Sequence, residues 1–218
     1  MRSLKAFGMS FGVGLMRRPS LVCLPFFALA AAATWAVRDN FFFWDTTQLA
    51  SEHAQFVFSS HFSTFLLPDV MDSGHPPTFG FYLAAMWFLF SKTLTVSHLA
   101  MLPFLLGIVW QAFGVASRLM SFLWALLFLL LLSVNPVVAS QAILVSPDVP
   151  LLFFFLLALN SIFRQNKIWL AFAIVGLAAI SLRGMMTAAA LFFFQIVDAQ
   201  FPLLEKTDPS VQSRFENV

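Results

Sequence analysis

Apolar residues along this chain come in long unbroken blocks, with most polar residues gathered between them. The block from Pro19 to Val37 contains no charged residue and matches the roughly 20 helical residues needed to cross a hydrocarbon core. Further blocks cover about 97–116, 119–134, 148–163, 168–182 and 185–200. A shorter apolar run, Pro76 to Lys92, opens on two prolines. Residues 38–75 form the extended polar region, and within it the period changes. From Asp45 to about Ser60, Leu49, Ala50, His53, Phe56 and Val57 fall on one helical stripe, and Gln48, Ser51, Glu52, Gln55 and Ser59 on another. That pattern predicts an amphipathic helix lying on a membrane surface.

Composition turns the pattern into a fold class. The 218 residues are 60% hydrophobic and 10% charged, with a mean hydropathy of +0.87, where a soluble domain carries about 25% charged residues. Helices satisfy their own backbone hydrogen bonds in lipid, so the expectation is an all-α polytopic membrane protein. The formal net charge of +2 gives no reason to expect a nucleic-acid partner. Cys23 is the single cysteine, which excludes an intramolecular disulfide and a thiolate metal cluster. There is no internal repeat and no low-complexity linker.

Charge then orders the blocks across the bilayer. Arg2, Lys5, Arg17 and Arg18 precede the first block and place the N-terminus in the cytoplasm. A cleaved signal peptide also begins with positive charge, and Ala33-Thr34-Trp35-Ala36 loosely suggests a cleavage site. The many later blocks favour a retained membrane helix. Residues 38–75 then fall outside, with Asp39, Asp45, Glu52, Asp69 and Asp72 against Arg38. If Pro76–Lys92 crossed, Arg164 and Lys167 would fall outside too. If it only dips into the outer leaflet, Arg118, Arg164 and Lys167 are all cytoplasmic, as the positive-inside rule prefers. Ser146-Pro147-Asp148 and Arg183 then share the side of Asp45. The expected organisation is a cytoplasmic segment 1–18, a membrane domain 19–200 of about six spanning helices, and a polar cytoplasmic tail 201–218. An outer loop 38–96 holds amphipathic juxtamembrane helices.

The outer side carries the candidate chemistry. Asp45 fits the N-cap of a helix beginning at Thr46, with Gln48 at the capping-box position. An ionised carboxylate fixed in direction at a membrane surface would also suit deprotonation of an acceptor hydroxyl. Ser146 can cap a helix that Pro147 opens, with Asp148 complementing the helix dipole; a carboxylate at the edge of a membrane helix is equally a functional candidate. His75, ahead of Pro76 and Pro77, is a loop histidine or a donor to a phosphate oxygen. Arg183 interrupts two apolar runs, where it either snorkels to the interface or grips a lipid phosphate with its planar fork. His53, His61 and His98 lack metal-ligand spacing. Asp69 and Asp72 make a solvated turn or a cation pair. The sequence contains no Walker loop, dinucleotide fingerprint, zinc motif or nucleophile elbow.

These features stand in a particular order: one helix, a loop opening with Trp44-Asp45, an amphipathic helix, and the turn His75-Pro76-Pro77. Tyr82-Leu83-Ala84 and Trp87-Phe88-Leu89-Phe90 follow, then Pro147-Asp148 at a helix start and the step Arg183-Gly184. Over residues 19–200 this order resembles the N-terminal half of the GT-C membrane glycosyltransferases, in the branch of protein O-mannosyltransferases and the lipid A aminoarabinose transferase. The resemblance implies transfer of a sugar, with inversion, from a polyprenyl-phosphate donor to a lipid, glycan or protein acceptor on the outer face of the cytoplasmic (inner) membrane. It makes Asp45 the catalytic base, His75 and Arg183 the ligands of the donor phosphate, and Asp148 and Glu52 supporting carboxylates. It implies no firm cofactor, though a divalent cation is compatible. There are departures. Thr46 stands where relatives commonly carry a second acid, and Asp148 follows Pro147 where the family has Asp-Pro. Family members also have about twice as many membrane helices. The alternative is therefore a non-catalytic or truncated half that binds polyprenyl phosphate, or scaffolds a second chain completing the enzyme. A small transporter is a third reading, weakened by the sparse charge within the blocks.

Overall fold

The structure, a computed structural model, describes residues 18–71 and 74–200, with the backbone alone for 198–200. Arg2, Lys5, Arg17, Asp72 and the expected tail 201–218 lie outside the described residues. Within them every regular element is a helix. In chain order these are α1 (Pro19–Ala36), α2 (Trp44–Thr46), a π-helical segment (Thr47–Glu52), α3 (His53–Ser59), α4 (Thr78–Leu89), α5 (Leu94–Leu99), α6 (Leu102–Leu119), α7 (Phe122–Val134), α8 (Pro136–Ala142), α9 (Asp148–Phe163), α10 (Lys167–Ile180) and α11 (Leu182–Gln200).

Short polar residues break the apolar blocks into these elements. Thr93 caps α5 by accepting from the Val96 N–H at 3.2 Å. Asn135 accepts from the Val137 and Val138 N–H groups, and Pro136 opens α8. Asn166 caps α10 by accepting from the Trp169 N–H at 3.1 Å. The axes of α7 and α8 meet at 62° across Asn135.

These breaks change the count of spans. Among the described residues two helices are long and apolar enough to cross a membrane: α1, and α5 with α6 as Leu94–Leu119. Taking the bent pair α7–α8 as one span makes three, against the six expected. The blocks at 148–163, 168–182 and 185–200 do form helices, α9, α10 and α11, with Ser181 at the joint between the last two. At 1.5 Å per residue the 14 residues of α10 reach about 21 Å, short of a core of roughly 30 Å. The run Pro76–Lys92 becomes α4, whose 12 residues reach about 18 Å.

The amphipathic stripe is real but its partner is protein. Ala50, His53, Ala54 and Val57 are buried on the face that packs against α4, where Phe79, Gly80, Leu83, Ala84 and Trp87 form the matching buried row. Tyr82 then ties α4 to the start of α6 by donating to the Ala100 carbonyl at 2.7 Å, and Trp87 Nε1 donates to Ser97 Oγ at 2.8 Å. Lys92 closes this unit, bonded to Gln55 and lying over the rings of Phe58 and Trp87. The chain leaving α1 joins it as well: His98 Nε2 donates to the Asn40 carbonyl at 3.1 Å, and Thr95 Oγ1 donates to Asp39 at 3.0 Å.

The bundle's axis is set by α6 and α9, which run parallel. Gly107 faces Phe153 and, two turns on, Gly114 faces Asn160. The Asn160 side chain bonds Gln111 Oε1 at 2.5 Å and accepts from Arg118 Nη1 at 2.6 Å. Interhelical polar bonds of this kind hold apolar helices together where hydrophobic burial discriminates little. α10 returns alongside α9, and α11 turns back along α10, with Ala188 and Leu191 packed on Ala173 and Leu177. The chain therefore gathers two different ends. One holds the starts of α6, α9 and α11 and the segment 38–99. The other holds Arg118, Arg164 and Lys167.

Candidate functional site

A small cleft opens at the first of these ends. It is lined by Leu49, His75, Pro76, Phe79, Pro147, Asp148, Ile180, Ser181 and Arg183. Three chain regions build it: the π segment with α4, the start of α9, and the joint between α10 and α11.

Each polar side chain is placed by local chemistry. Ser146 Oγ accepts from the Asp148 N–H at 3.2 Å, as expected for a Ser-Pro-Asp helix start. This fixes the first turn of α9 and puts the Asp148 carboxylate where it complements the helix dipole. Ser181 does the same for α11, accepting from the Gly184 N–H at 3.0 Å. Gly184 is needed here for space: a Cβ would meet the Leu177 carbonyl and Leu151. The α10–α11 joint is thus tight, and it delivers Arg183 to Asp148.

Arg183 Nη2 donates to Asp148 Oδ1 at 3.0 Å. The arginine side chain keeps 66% of its surface open and the aspartate 35%, so the pair contributes little to stability, on the order of 0–1 kcal/mol. Its interest is positional. One of the five guanidinium donors is engaged, and the fork stays accessible at the cleft mouth. His75 contributes an imidazole whose Nδ1 is buried with no hydrogen-bond partner among the described residues. A buried polar atom without a partner costs about 1–3 kcal/mol.

The remaining candidates fall outside the lining. Asp45 does not cap the helix. α2 already begins at Trp44 with Phe43 at the N-cap, so Asp45 sits in the first turn and makes no capping bond. The bond at this helix start belongs instead to Thr46, whose hydroxyl donates to the Phe43 carbonyl at 2.6 Å. Asp45 is exposed, about one turn before Leu49, which does line the cleft. Glu52 lies on the π segment, half-buried and away from the lining. Asp69 is exposed in the turn before His75. No group of three acidic, histidine or cysteine side chains that could hold a metal occurs among the described residues. Phe41, Phe43 and Trp44 project from the surface beside Asp45.

The contribution of Leu49, Phe79, Ile180 and Ser181 was not foreseen. The Ser-Leu-Arg-Gly step around Ser181 carried a capping signal that could have located the joint. The Gln111–Asn160–Arg118 cluster was also missed, although two amides inside apolar blocks are a visible anomaly.

No family model matches the chain, and no curated protein or solved structure matches it either.

Proposed function

We propose that the chain is a multi-pass protein of the cytoplasmic membrane. It transfers a sugar from a polyprenyl-phosphate donor to an acceptor hydroxyl on the outer face, as the GT-C resemblance implies. The observation that carries this reading is the convergence of His75, Asp148 and Arg183 on one cleft. In the sequence they lie in three separate regions; the resemblance assigns His75 and Arg183 to the donor phosphate and Asp148 to a supporting role. Arg183, held by Asp148, presents its open donors to a phosphate, whose oxygens match a guanidinium fork. His75 supplies a second donor. Leu49, Pro76, Phe79 and Ile180 give the cleft the apolar wall that a prenyl chain needs.

In the proposed reaction Asp45 takes the proton from the acceptor hydroxyl. The acceptor oxygen attacks the anomeric carbon from the face opposite the phosphate. The bond from that carbon to the phosphate oxygen breaks, and polyprenyl phosphate leaves with the bonding pair. Configuration inverts. Arg183 and His75 stabilise the charge that builds on the leaving phosphate. Phe41, Phe43 and Trp44 hold the Asp45 turn at the interface, where aromatic side chains settle. The six apolar blocks are read as six crossings. Helices shorter than the core are accommodated by local thinning and by long end residues reaching the headgroups.

The test is release of free polyprenyl phosphate from a panel of polyprenyl-phosphate sugars by the purified chain. Asp45→Asn is expected to lower release by on the order of 10²–10⁴, the usual worth of a general base, while the protein still inserts. Normal release by that variant would remove Asp45 from the mechanism. The second reading is a half that binds the donor without turning it over, and the position of Asp45 outside the cleft lining favours it. Retention of polyprenyl phosphate with no release from any donor would establish that reading.

A further inference from the structure

The opposite end of the bundle has a different chemistry. Arg164 and Lys167 flank the α9–α10 turn, and both are exposed. The turn is fixed by its backbone: Arg164 N donates to the Asn160 carbonyl at 3.0 Å, Gln165 N to Ile162 at 3.0 Å and Asn166 N to Ser161 at 2.9 Å. Gln165 completes it in the left-handed region, at φ 54°. Asn166 then caps α10. The two cations therefore project from a rigid corner. Arg118 reaches the same corner through its bond to Asn160. α1 is antiparallel to α6, since its C-terminal end meets α5 through Asn40 and Asp39, so exposed Arg18 also lies toward this end.

The carboxylates with described side chains, Asp39, Asp45, Glu52, Asp69 and Asp148, belong to the cleft end. Asp198, near the end of α11, lies outside the described side chains. Around the basic corner the surface is apolar: Ile168, Trp169, Leu119 and Met120 are exposed. An exposed tryptophan beside lysine and arginine at the end of an apolar bundle matches the boundary between acyl chains and headgroups.

We propose that this corner binds the phosphate headgroups of anionic membrane lipids, with Arg164 and Lys167 on the phosphate and Trp169 and Ile168 at the level of the acyl ester. The proposal rests on the membrane reading given above. It adds a lipid preference to the face opposite the cleft.

The protein in neutral detergent is titrated with phosphatidylglycerol and, separately, with phosphatidylcholine, and the lipids retained are counted by native mass spectrometry. Phosphatidylglycerol should be retained preferentially. Arg164→Gln with Lys167→Gln should weaken it about 25-fold, at roughly fivefold per basic residue. Arg164→Lys with Lys167→Arg, which keeps both charges, should retain it. Equal retention of the two lipids, an undiminished preference in the double glutamine variant, or displacement by millimolar inorganic phosphate overturns the proposal. Extraction of membranes with alkaline carbonate separates the two failures. Protein released by carbonate sinks the membrane reading and this proposal together, whereas inserted protein without the preference sinks this proposal alone.

Discussion

A single methyl group at Gly184 would strike a backbone carbonyl, that of Leu177, and the Leu151 side chain 2.8 Å away. A carbonyl inside a helix cannot step aside as a flexible side chain can. Gly184→Ala is therefore expected to destabilise the protein by about 1–3 kcal/mol, read as a lower thermal midpoint in detergent. An unchanged midpoint would show that the α10–α11 joint relaxes freely, and the fixed presentation of Arg183 would lose its support. At this scale the sequence was legible where capping chemistry acts alone. Ser146 bonds to the Asp148 N–H as its Ser-Pro-Asp context implies. Asp45 misled for the same reason: Asp-Thr-Thr-Gln matches a capping box, yet the chain is already helical at Trp44. A local motif cannot report a helix start that has moved two residues upstream.

Between elements, the α6–α9 contact depends on Asn160, which is buried and bonded to both Gln111 and Arg118. Asn160→Ala leaves those groups short of a partner at a buried site, a loss of about 1–3 kcal/mol. Its neighbour Ser161 is equally buried, but its side chain bonds only within its own helix, donating to the Leu157 carbonyl. Ser161→Ala should therefore shift the unfolding midpoint much less than Asn160→Ala. Equal shifts would mean that the interhelical bonds carry no weight. Element positions were well marked in the sequence, because each apolar block became a helix. Their partners and interruptions were not. The stripe through Ala50, His53 and Val57 declares an apolar face but not what covers it, and α4 covers it here. The π segment left no signal either, since its wider turns answer to packing rather than to local propensity.

For the whole molecule, the separation of cleft and basic corner predicts opposite exposure across a membrane. Cys23 is the only cysteine and is buried, so Cys23→Ala gives a clean background for labelling. A cysteine at Ser63 should react with an impermeant maleimide in sealed right-side-out vesicles. One at Lys167 should react only after permeabilisation. Labelling of both in sealed vesicles would put the two ends on one side and end the six-crossing reading. The gathering of Arg118, Arg164 and Lys167 at one end was legible, because the order of charges along the chain marks it without reference to helix length. The number of crossings was not, because an apolar block in a sequence does not show how long its helix will be, and α10 stops at 14 residues. One feature of the α6–α9 pair bears on both ends at once. The notches Gly107 and Gly114 are seven residues apart, and so are Phe153 and Asn160, which fill them. Displacing α9 along its axis would drive both side chains out of their notches together. This helix pair cannot work as a piston. It is a strut of fixed length, and any message passing between the two faces has to travel as tilt or rotation of the helices around it.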